Sequence, residues 1–154
     1  MAVLTWLEAS SLSIWVREGE SIWAFPTILT LHTFGLTLLV GAATIINLRL
    51  LGIARRLPLA PFRTLITIMW GGFWLNLITG SLLFAADATA RGTSAFFLMK
   101  LVFVGIGIAT TVLIQRSVFD RPEASAPPSP KLLALVSIAA WTAAVTTGRL
   151  LAYV

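Results

Sequence analysis

Four long apolar runs constrain this chain more than any other feature. They cover residues 22–48, 65–86, 95–114 and 132–151, with short connectors between them. About 20 helical residues at ~1.5 Å rise cross the ~30 Å hydrocarbon core of a bilayer, so each run is long enough to span it. Because a backbone in lipid must satisfy its own hydrogen bonds, we predict an all-α bundle of four transmembrane helices in one domain, residues 1–154.

The composition agrees with a membrane protein, and the charges predict its orientation. Charged residues make up 11% of the chain, against about 25% in soluble domains. The net charge of +5 does not indicate nucleic-acid binding, because most basic residues lie in or beside the first and third connectors. By the positive-inside rule those connectors are cytoplasmic and both termini lie outside. The basic residues concerned are Arg49, Arg55, Arg56, Arg63, Arg116, Arg121 and Lys131.

Two segments outside the spans have distinct compositions. Residues 3–18 place Leu4, Leu7 and Ile14 at helical spacing beside two tryptophans. This pattern predicts a short amphipathic helix at the outer membrane surface, with a loosely ordered tail as the alternative. Residues 119–131 contain four prolines together with alanine and serine, which predicts a mobile cytoplasmic loop.

Several kinds of chemistry are excluded by missing residues. The chain has no cysteine, which rules out disulfides, thiolate metal sites and cysteine nucleophiles. It contains no P-loop, HExxH or GxGxxG motif, and no histidine–carboxylate–nucleophile set. Hydrolytic catalysis is therefore not expected. A small-solute or ion permease is disfavoured because the spans contain few polar residues.

The only histidine, His32, is the first candidate functional residue. It lies about 15 Å into the first run, and an ionisable side chain at membrane depth indicates a functional site. Gly35 follows one turn later, so a flat group bound at the imidazole could approach the backbone. Asn76 lies at mid-depth in the second run, between Gly72 and Gly80 at four-residue spacing.

Two cations complete the candidate site. Lys100 and Arg149 fall in the outer halves of the third and fourth runs. If both face inward, the arrangement suits a b-type haem, with His32 on the iron, Gly35 under the ring and the cations at the propionates. It equally suits a quinone or another anionic amphiphile whose head bonds the imidazole, and Asn76 belongs to the same candidate cofactor site.

Each candidate residue also has a purely structural interpretation. His32 could hydrogen-bond a neighbouring helix, for example at Asn76 or a threonine. Lys100 and Arg149 could extend towards the headgroups or pair with Asp87. On this interpretation the protein is a structural accessory subunit that packs against a membrane complex through its small-residue and aromatic faces.

A haem would also require a second copy or an unusual ligand. Low-spin transmembrane haems have two axial ligands, and this chain has one histidine. Met69, Met99, a ligand from another subunit or the His32 of a second copy could supply the other, and a five-coordinate haem would need none. The expected function is therefore haem b binding and electron transfer in a homo-oligomer or a larger membrane complex, with the lipid bilayer as the surrounding partner.

Six segments in order resemble a family of small bacterial four-helix inner-membrane proteins, classed as a domain of unknown function. They also look distantly like the membrane domain of copper-resistance protein D. The segments are Trp23-x-Phe25-Pro26, His32-x-x-Gly35, Gly41 with Leu48-Arg49-Leu50-Leu51-Gly52, Thr79-Gly80-x-Leu82-Leu83-Phe84, Phe97-x-x-Lys100 and Gly148-Arg149-Leu150-Leu151-Ala152-Tyr153.

The resemblance implies a bacterial inner-membrane location, four spans and an outer amphipathic N-terminus. It also implies a role for the residues that match the family pattern, which are His32, Arg49, Lys100 and Arg149. The chain departs from that pattern at Leu29 and Asn47, where an acidic residue is often expected. Those losses disfavour a proton relay or a cation site, and a single histidine without cysteine disfavours copper transport.

Overall fold

The computed structural model places its described residues in seven α-helices, and it describes residues 2–18, 23–53, 56–120, 129–151 and 153. The helices are α1 (Ala2–Glu8), α2 (Ser11–Glu18), α3 (Ala24–Leu51), α4 (Phe62–Ala86), α5 (Ala88–Thr93), α6 (Ala95–Ile114) and α7 (Pro130–Leu150). Six π-helical residues, Gln115–Asp120, continue α6. These ranges contain no strand, so the predicted all-α class is confirmed.

Four segments of the described chain are long and apolar enough to cross a membrane, as predicted. They are Ala24–Leu51, Phe62–Ala86, Ala95–Asp120 and Pro130–Leu150. The first three extend beyond the corresponding apolar runs, because a helix continues into the headgroup region until its end is capped. The predicted loop 119–131 is helical at both ends, and residues 121–128 lie outside the described residues.

Local sequence explains where the spanning helices begin and end. Gly52 takes a left-handed conformation with φ 106°, and its N–H bonds the Arg49 carbonyl while the Ile53 N–H bonds the Leu48 carbonyl. This is the glycine-terminated helix end that satisfies the last carbonyls. Ser94 caps α6 by accepting the Phe97 N–H, and Pro130 stands in the first turn of α7, where no amide hydrogen is needed.

Glycines let α3 and α4 approach closely. A Cβ added at Gly72 would lie 2.7 Å from the Leu39 nitrogen, and one at Gly35 would lie 2.9 Å from the Asn76 nitrogen. Such backbone-to-backbone contact is how small residues join helices in lipid. Helix α3 also packs on α7, and α7 packs on α6. Within the described residues, the neighbouring helices α4 and α6 do not pack on each other along their length.

The two ends of the bundle differ. The arginine end, where α3 stops and α4 starts, carries Arg49, Arg56 and Arg63. Its half of the bundle, the packed half, holds a continuous core that includes Ile46 and Met69. The terminal end carries α1, α2 and α5, and its half of the bundle is the open half.

Polar side chains bind the helices of the packed half together. The buried Asn47 amide donates to Ser137 Oγ at 2.9 Å. The Trp70 indole donates to Gln115 Oε1 at 3.0 Å, and the Arg63 guanidinium donates to the Phe119 carbonyl. These bonds join α3 to α7 and α4 to the C-terminal end of α6.

The predicted N-terminal helix 3–18 is two short helices rather than one. Ser10 Oγ accepts the Ser13 N–H at 3.3 Å, and Ser13 Oγ donates to the Leu7 carbonyl at 2.8 Å. Serine is a preferred helix-capping residue, so these bonds end α1 and start α2. The side chains of Trp6 and Trp15 are exposed, and the position of these helices at a membrane surface stays a prediction.

Candidate functional site

A groove of about 730 Å³ occupies the open half, between α4 and α6. Helices α3 and α7 form its floor, with Leu36, Leu39 and Trp141 among the lining residues. Leu77 of α4 and Leu101 of α6 line it and are also exposed. In a bilayer this rim faces hydrocarbon, so the groove opens sideways to lipid.

Aromatic contacts delimit the groove at its two ends. Towards the terminal end, Phe84 and Phe97 stack with ring centroids 5.1 Å apart and an interplanar angle of 16°. Towards the arginine end, the Trp70–Gln115 hydrogen bond joins the same two segments. Leu7 of α1 also lines the groove. Helices α4 and α6 are thus held together at both ends and separated between them.

Lys100 lines the groove without a counter-charge. Its side chain is half-buried and lies along α7, with Cδ and Cε 3.4 Å from where a Cβ on Gly148 would stand. Within the described residues the ammonium makes no hydrogen bond and no ion pair. An unpaired cation in apolar surroundings is costly.

Arg149 lines the same groove beside Gly148. Its guanidinium donates to the Tyr153 hydroxyl at 3.3 Å and lies 5.6 Å from the centre of that ring. Arg149 is exposed, and Tyr153 is 75% exposed. Both contacts are with an exposed residue four positions later in the chain.

Asp87 pairs with neither of these cations. Its carboxylate bonds Arg91 Nε at 3.0 Å, and Arg91 Nη1 donates to the Leu151 carbonyl at 2.8 Å. The pairing of Asp87 with Lys100 or Arg149 that the sequence allowed is therefore absent. The reason is local: Arg91 lies one helical turn after Asp87, within direct reach.

The second carboxylate at this end is also engaged. Glu8 accepts hydrogen bonds from the Thr89 hydroxyl at 2.5 Å and from the Thr89 amide at 3.1 Å, and it pairs with Arg17 at 3.2 Å. The Thr89 side-chain and backbone hydrogen bonds, followed by the Arg17 charge, hold the pKa of this carboxyl below its usual value. Glu8 thereby fastens α1 to α5 beside the groove.

His32 lies in the α3–α4 seam beside the groove. Its Nδ1 is 3.0 Å from Thr79 Oγ1, and the Thr79 hydroxyl is 2.7 Å from the Leu75 carbonyl, to which it donates. The hydroxyl oxygen therefore accepts the Nδ1 proton, which leaves Nε2 as the ring's lone-pair nitrogen. Within the described residues Nε2 has no hydrogen-bond partner.

The imidazole adjoins the groove without being part of its lining. His32 Cε1 lies 3.0 Å from where a Cβ on Gly80 would stand, and Gly80 itself lines the groove. Asn76 lines the groove too, while its amide donates to the His32 carbonyl at 2.8 Å. His32 and Asn76 thus join α3 to α4 at the groove's edge.

Gly35 does not lie at the groove. The backbone of α4 fills the space beside it, with the Asn76 nitrogen 2.9 Å and the Gly72 oxygen 3.1 Å from an added Cβ. No flat ring fits at this position. The predicted place of Gly35 under a bound ring therefore differs from its place in the fold, because this face of α3 packs on a neighbouring helix.

Two features of the site are not expected from the sequence. The Phe84–Phe97 stack and the position of Leu7 beside the groove depend on contacts between distant segments, and no spacing signals them. The indole of Trp141 lies on Gly107, and among the described residues its buried Nε1 finds no hydrogen-bond partner. The described residues contain no group of three or more histidine, cysteine or acidic side chains that could hold a metal ion.

No known protein family, curated protein or solved structure matches this chain. The resemblance to small four-helix inner-membrane proteins stays a prediction. The geometry of the groove and of the His32 seam is therefore what bears on function.

Proposed function

We propose that this protein is a small membrane subunit that holds one amphiphilic molecule, a lipid or a lipid-like cofactor, in the groove between α4 and α6. The observation that carries the proposal is Lys100, a half-buried ammonium that lines an apolar groove without a partner in the described chain. A ligand with an apolar body and a polar head would complement both the groove and the charge.

The size and lining of the groove support this proposal. Its volume of about 730 Å³ is within the ~300–1,000 Å³ of typical small-molecule sites. Such sites combine an apolar wall with a few fixed polar groups. Here Asn76 stands at mid-depth, and Lys100 and Arg149 stand towards the terminal end.

The orientation that we propose places the groove in the outer leaflet of a bacterial inner membrane. The positive-inside rule assigns the arginine end to the cytoplasm. The exposed Trp6, Trp15 and Trp23 at the terminal end suit the opposite headgroup layer. A ligand would then enter sideways from that leaflet, past Leu77 and Leu101.

The test is native mass spectrometry of the protein purified in a mild detergent. We expect a bound amphiphile on the wild-type protein and its loss in Gly148→Leu, because the new side chain would fill the groove beside Lys100. Gly105→Leu is the matched control, since nothing lies within 4 Å of a Cβ at Gly105. The control should keep the ligand.

Absence of any bound amphiphile, together with no uptake of added lipid by the folded protein, would contradict the proposal. The accessory-subunit interpretation would then be favoured. Co-purification of a large membrane partner with both the wild-type protein and Gly148→Leu would support that interpretation.

The second candidate is haem b binding at His32 with electron transfer, and the His32–Thr79 bond favours it. A histidine that ligates a metal usually donates its other ring N–H to a neighbouring oxygen, which fixes the tautomer. Thr79 does this for Nδ1, and Nε2 is left available. A haem would supply a one-electron carrier, and a second copy of the chain would supply its other axial histidine.

A reduced-minus-oxidised spectrum with a pyridine haemochrome assay tests this candidate. A b-type signal that His32→Ala abolishes and Thr79→Val weakens would support haem binding. Thr37→Val is the control, because Thr37 bonds only a carbonyl of its own helix. A folded wild-type protein without any b-type signal, even after addition of haemin, would contradict it.

A further inference from the structure

We infer that the ligand of the groove is an acidic lipid whose phosphate lies between Lys100 and Arg149 and whose hydrocarbon chain runs along α7 to Trp141. This inference rests on the proposed function and specifies the class of ligand. It depends on three features: the charges at the mouth of the groove, the positions of the two cations and the length of the apolar floor.

Among the side chains that the structure describes, the terminal end of the groove has a local excess of positive charge. The carboxylates described at this end are Asp87, which bonds Arg91, and Glu8, which bonds Thr89 and Arg17. Neither reaches Lys100 or Arg149. An anionic head would supply the missing counter-charge, whereas a neutral head would supply none and a zwitterionic head would bring a further positive charge beside the two cations.

The two cations line the same groove from neighbouring helices. Lys100 lies against Gly148, with Nζ 3.6 Å from the position of an added Cβ, and Arg149 is the next residue of α7. An ammonium acts as a point charge and a guanidinium as a planar fork, and together they suit the several oxygens of a phosphate.

The apolar floor is long enough for a hydrocarbon chain. Eight residues of α7 separate Arg149 from Trp141, which corresponds to about 12 Å along the helix. One leaflet of the hydrocarbon core is roughly 15 Å thick, as half of ~30 Å. Ala144 and Val145 line the stretch between them. A free phosphate ion would leave this floor empty, which favours a lipid over the head group alone.

Small residues keep this path open. Gly148 of α7 and Gly80 of α4 both line the groove, and Ala144 stands one turn before Gly148 on α7. A larger side chain at these positions would narrow the groove next to the cations. The same surface therefore provides room for a chain and charge for an acidic head.

The experiment is a titration of the purified full-length protein in detergent, followed by native mass spectrometry. The probes are dioctanoyl phosphatidylglycerol, dioctanoyl phosphatidylcholine and inorganic phosphate. We expect the acidic lipid to bind at least about tenfold more tightly than the zwitterionic lipid, because charge complementarity to Lys100 and Arg149 discriminates the heads. Inorganic phosphate alone should not compete.

Variants of the two cations sharpen the test. Lys100→Met should reduce affinity for the acidic lipid about tenfold while preserving the side chain's apolar stem, and Lys100→Arg should restore most of it. Arg149→Gln should have a smaller effect, because Arg149 is more exposed. Lys131→Ala is the control, since Lys131 is an exposed cation at the arginine end. Thermal unfolding of each variant establishes that it is folded.

The outcomes separate this inference from the function on which it rests. If both lipids bind with equal affinity and Gly148→Leu displaces both, the groove holds an amphiphile, but the assignment of an acidic head is overturned. Binding that Lys100→Met leaves unchanged overturns it as well, as does competition by inorganic phosphate at the affinity of the lipid. If neither lipid binds and no native amphiphile is present, the proposed function itself fails.

Discussion

The packed half and the open half are built from the same four spanning helices, yet they fill the space between those helices differently. In the packed half, a buried hydrogen bond joins Asn47 to Ser137 at 2.9 Å, and apolar side chains such as Met69 close the core. In the open half, α4 and α6 are separated, and Lys100 lines the groove without a counter-charge.

The size of the facing side chains explains this difference. At the floor of the packed half, Met69 and Ile114 are almost wholly buried, with exposed fractions of 1% and 4%. In the open half the lining of the groove includes Gly80 and Gly148. Large residues hold the helices together through dispersion contacts, whereas small residues on splayed helices leave space. Stability is therefore concentrated in one half and binding capacity in the other.

The largest effect should come from breaking the buried bond of the packed half. Asn47→Ala would leave the fully buried Ser137 hydroxyl without its partner and would remove packed atoms. We expect a loss of about 2–3 kcal/mol in the free energy of unfolding, since an unsatisfied buried polar group costs about 1–3 kcal/mol. Equilibrium unfolding in detergent would measure it.

The double variant Asn47→Ala with Ser137→Ala is the control for this prediction. Removal of both polar partners avoids the unsatisfied group, so its loss should be smaller than the sum of the two single losses. Lys100→Ala in the open half should cause no loss of stability, since it removes an unpaired, half-buried charge. Equal losses for Asn47→Ala and Lys100→Ala would contradict the division of the bundle into two halves.

An intermediate effect is expected at the boundary between the halves. Gly107→Ala would place a Cβ 2.7 Å from Trp141 Cε2 and so displace the indole that forms the groove floor. Overpacking costs about 1–3 kcal/mol, and the helix preference for alanine over glycine offsets up to about 1 kcal/mol. We therefore expect a net loss of about 1–2 kcal/mol, measured by thermal unfolding, together with weaker ligand binding.

Gly105→Ala is the matched control on the same helix. Nothing lies within 4 Å of a Cβ there, so only the helix preference acts and stability should stay equal or rise slightly. Equal changes in stability for Gly105→Ala and Gly107→Ala would contradict the close packing of Trp141 on Gly107.

The smallest effect concerns pH and the helix that fastens beside the open half. The Thr89 hydrogen bonds lower the pKa of Glu8 in the folded protein, so the docking of α1 is fully stabilised above the ordinary Glu pKa of about 4.3. The stabilisation is lost as the pH falls through the lowered value. The tryptophan fluorescence, to which Trp6 contributes, should therefore change on acidification. The packed half should stay folded over the same change in pH.

Glu8→Gln isolates this contribution. The variant cannot titrate at position 8, so the part of the acid transition that reports α1, expected below about pH 4.3, should disappear. Hydrogen exchange at the Thr89 amide, which bonds the Glu8 carboxylate at 3.1 Å, should be faster in the variant at neutral pH. An unchanged acid transition in Glu8→Gln would assign it to another carboxyl group.

Part of the candidate site could be predicted, because the position of a residue within an apolar run gives its depth in the membrane. Asn76, Lys100 and Arg149 were expected at one site, and all three line the groove. His32 was expected there or against a threonine of another helix, and it bonds Thr79 at its edge. The place of Gly35 could not be predicted, because the spacing that puts it on the His32 face also suits close packing on α4.

The sequence by itself determined the four spans and their all-helical class, because apolar runs of sufficient length and the need to satisfy every backbone hydrogen bond in lipid leave no other backbone structure. Only the tertiary structure decided that Asp87 pairs with Arg91, that Gly35 packs on α4 and that a groove separates α4 from α6. The physical reason is that lipid tails are as apolar as the helix surfaces, so hydrophobicity does not select which face of a span turns inward. Close packing of glycines and the few interhelical hydrogen bonds make that selection, and both depend on segments that are far apart in the chain.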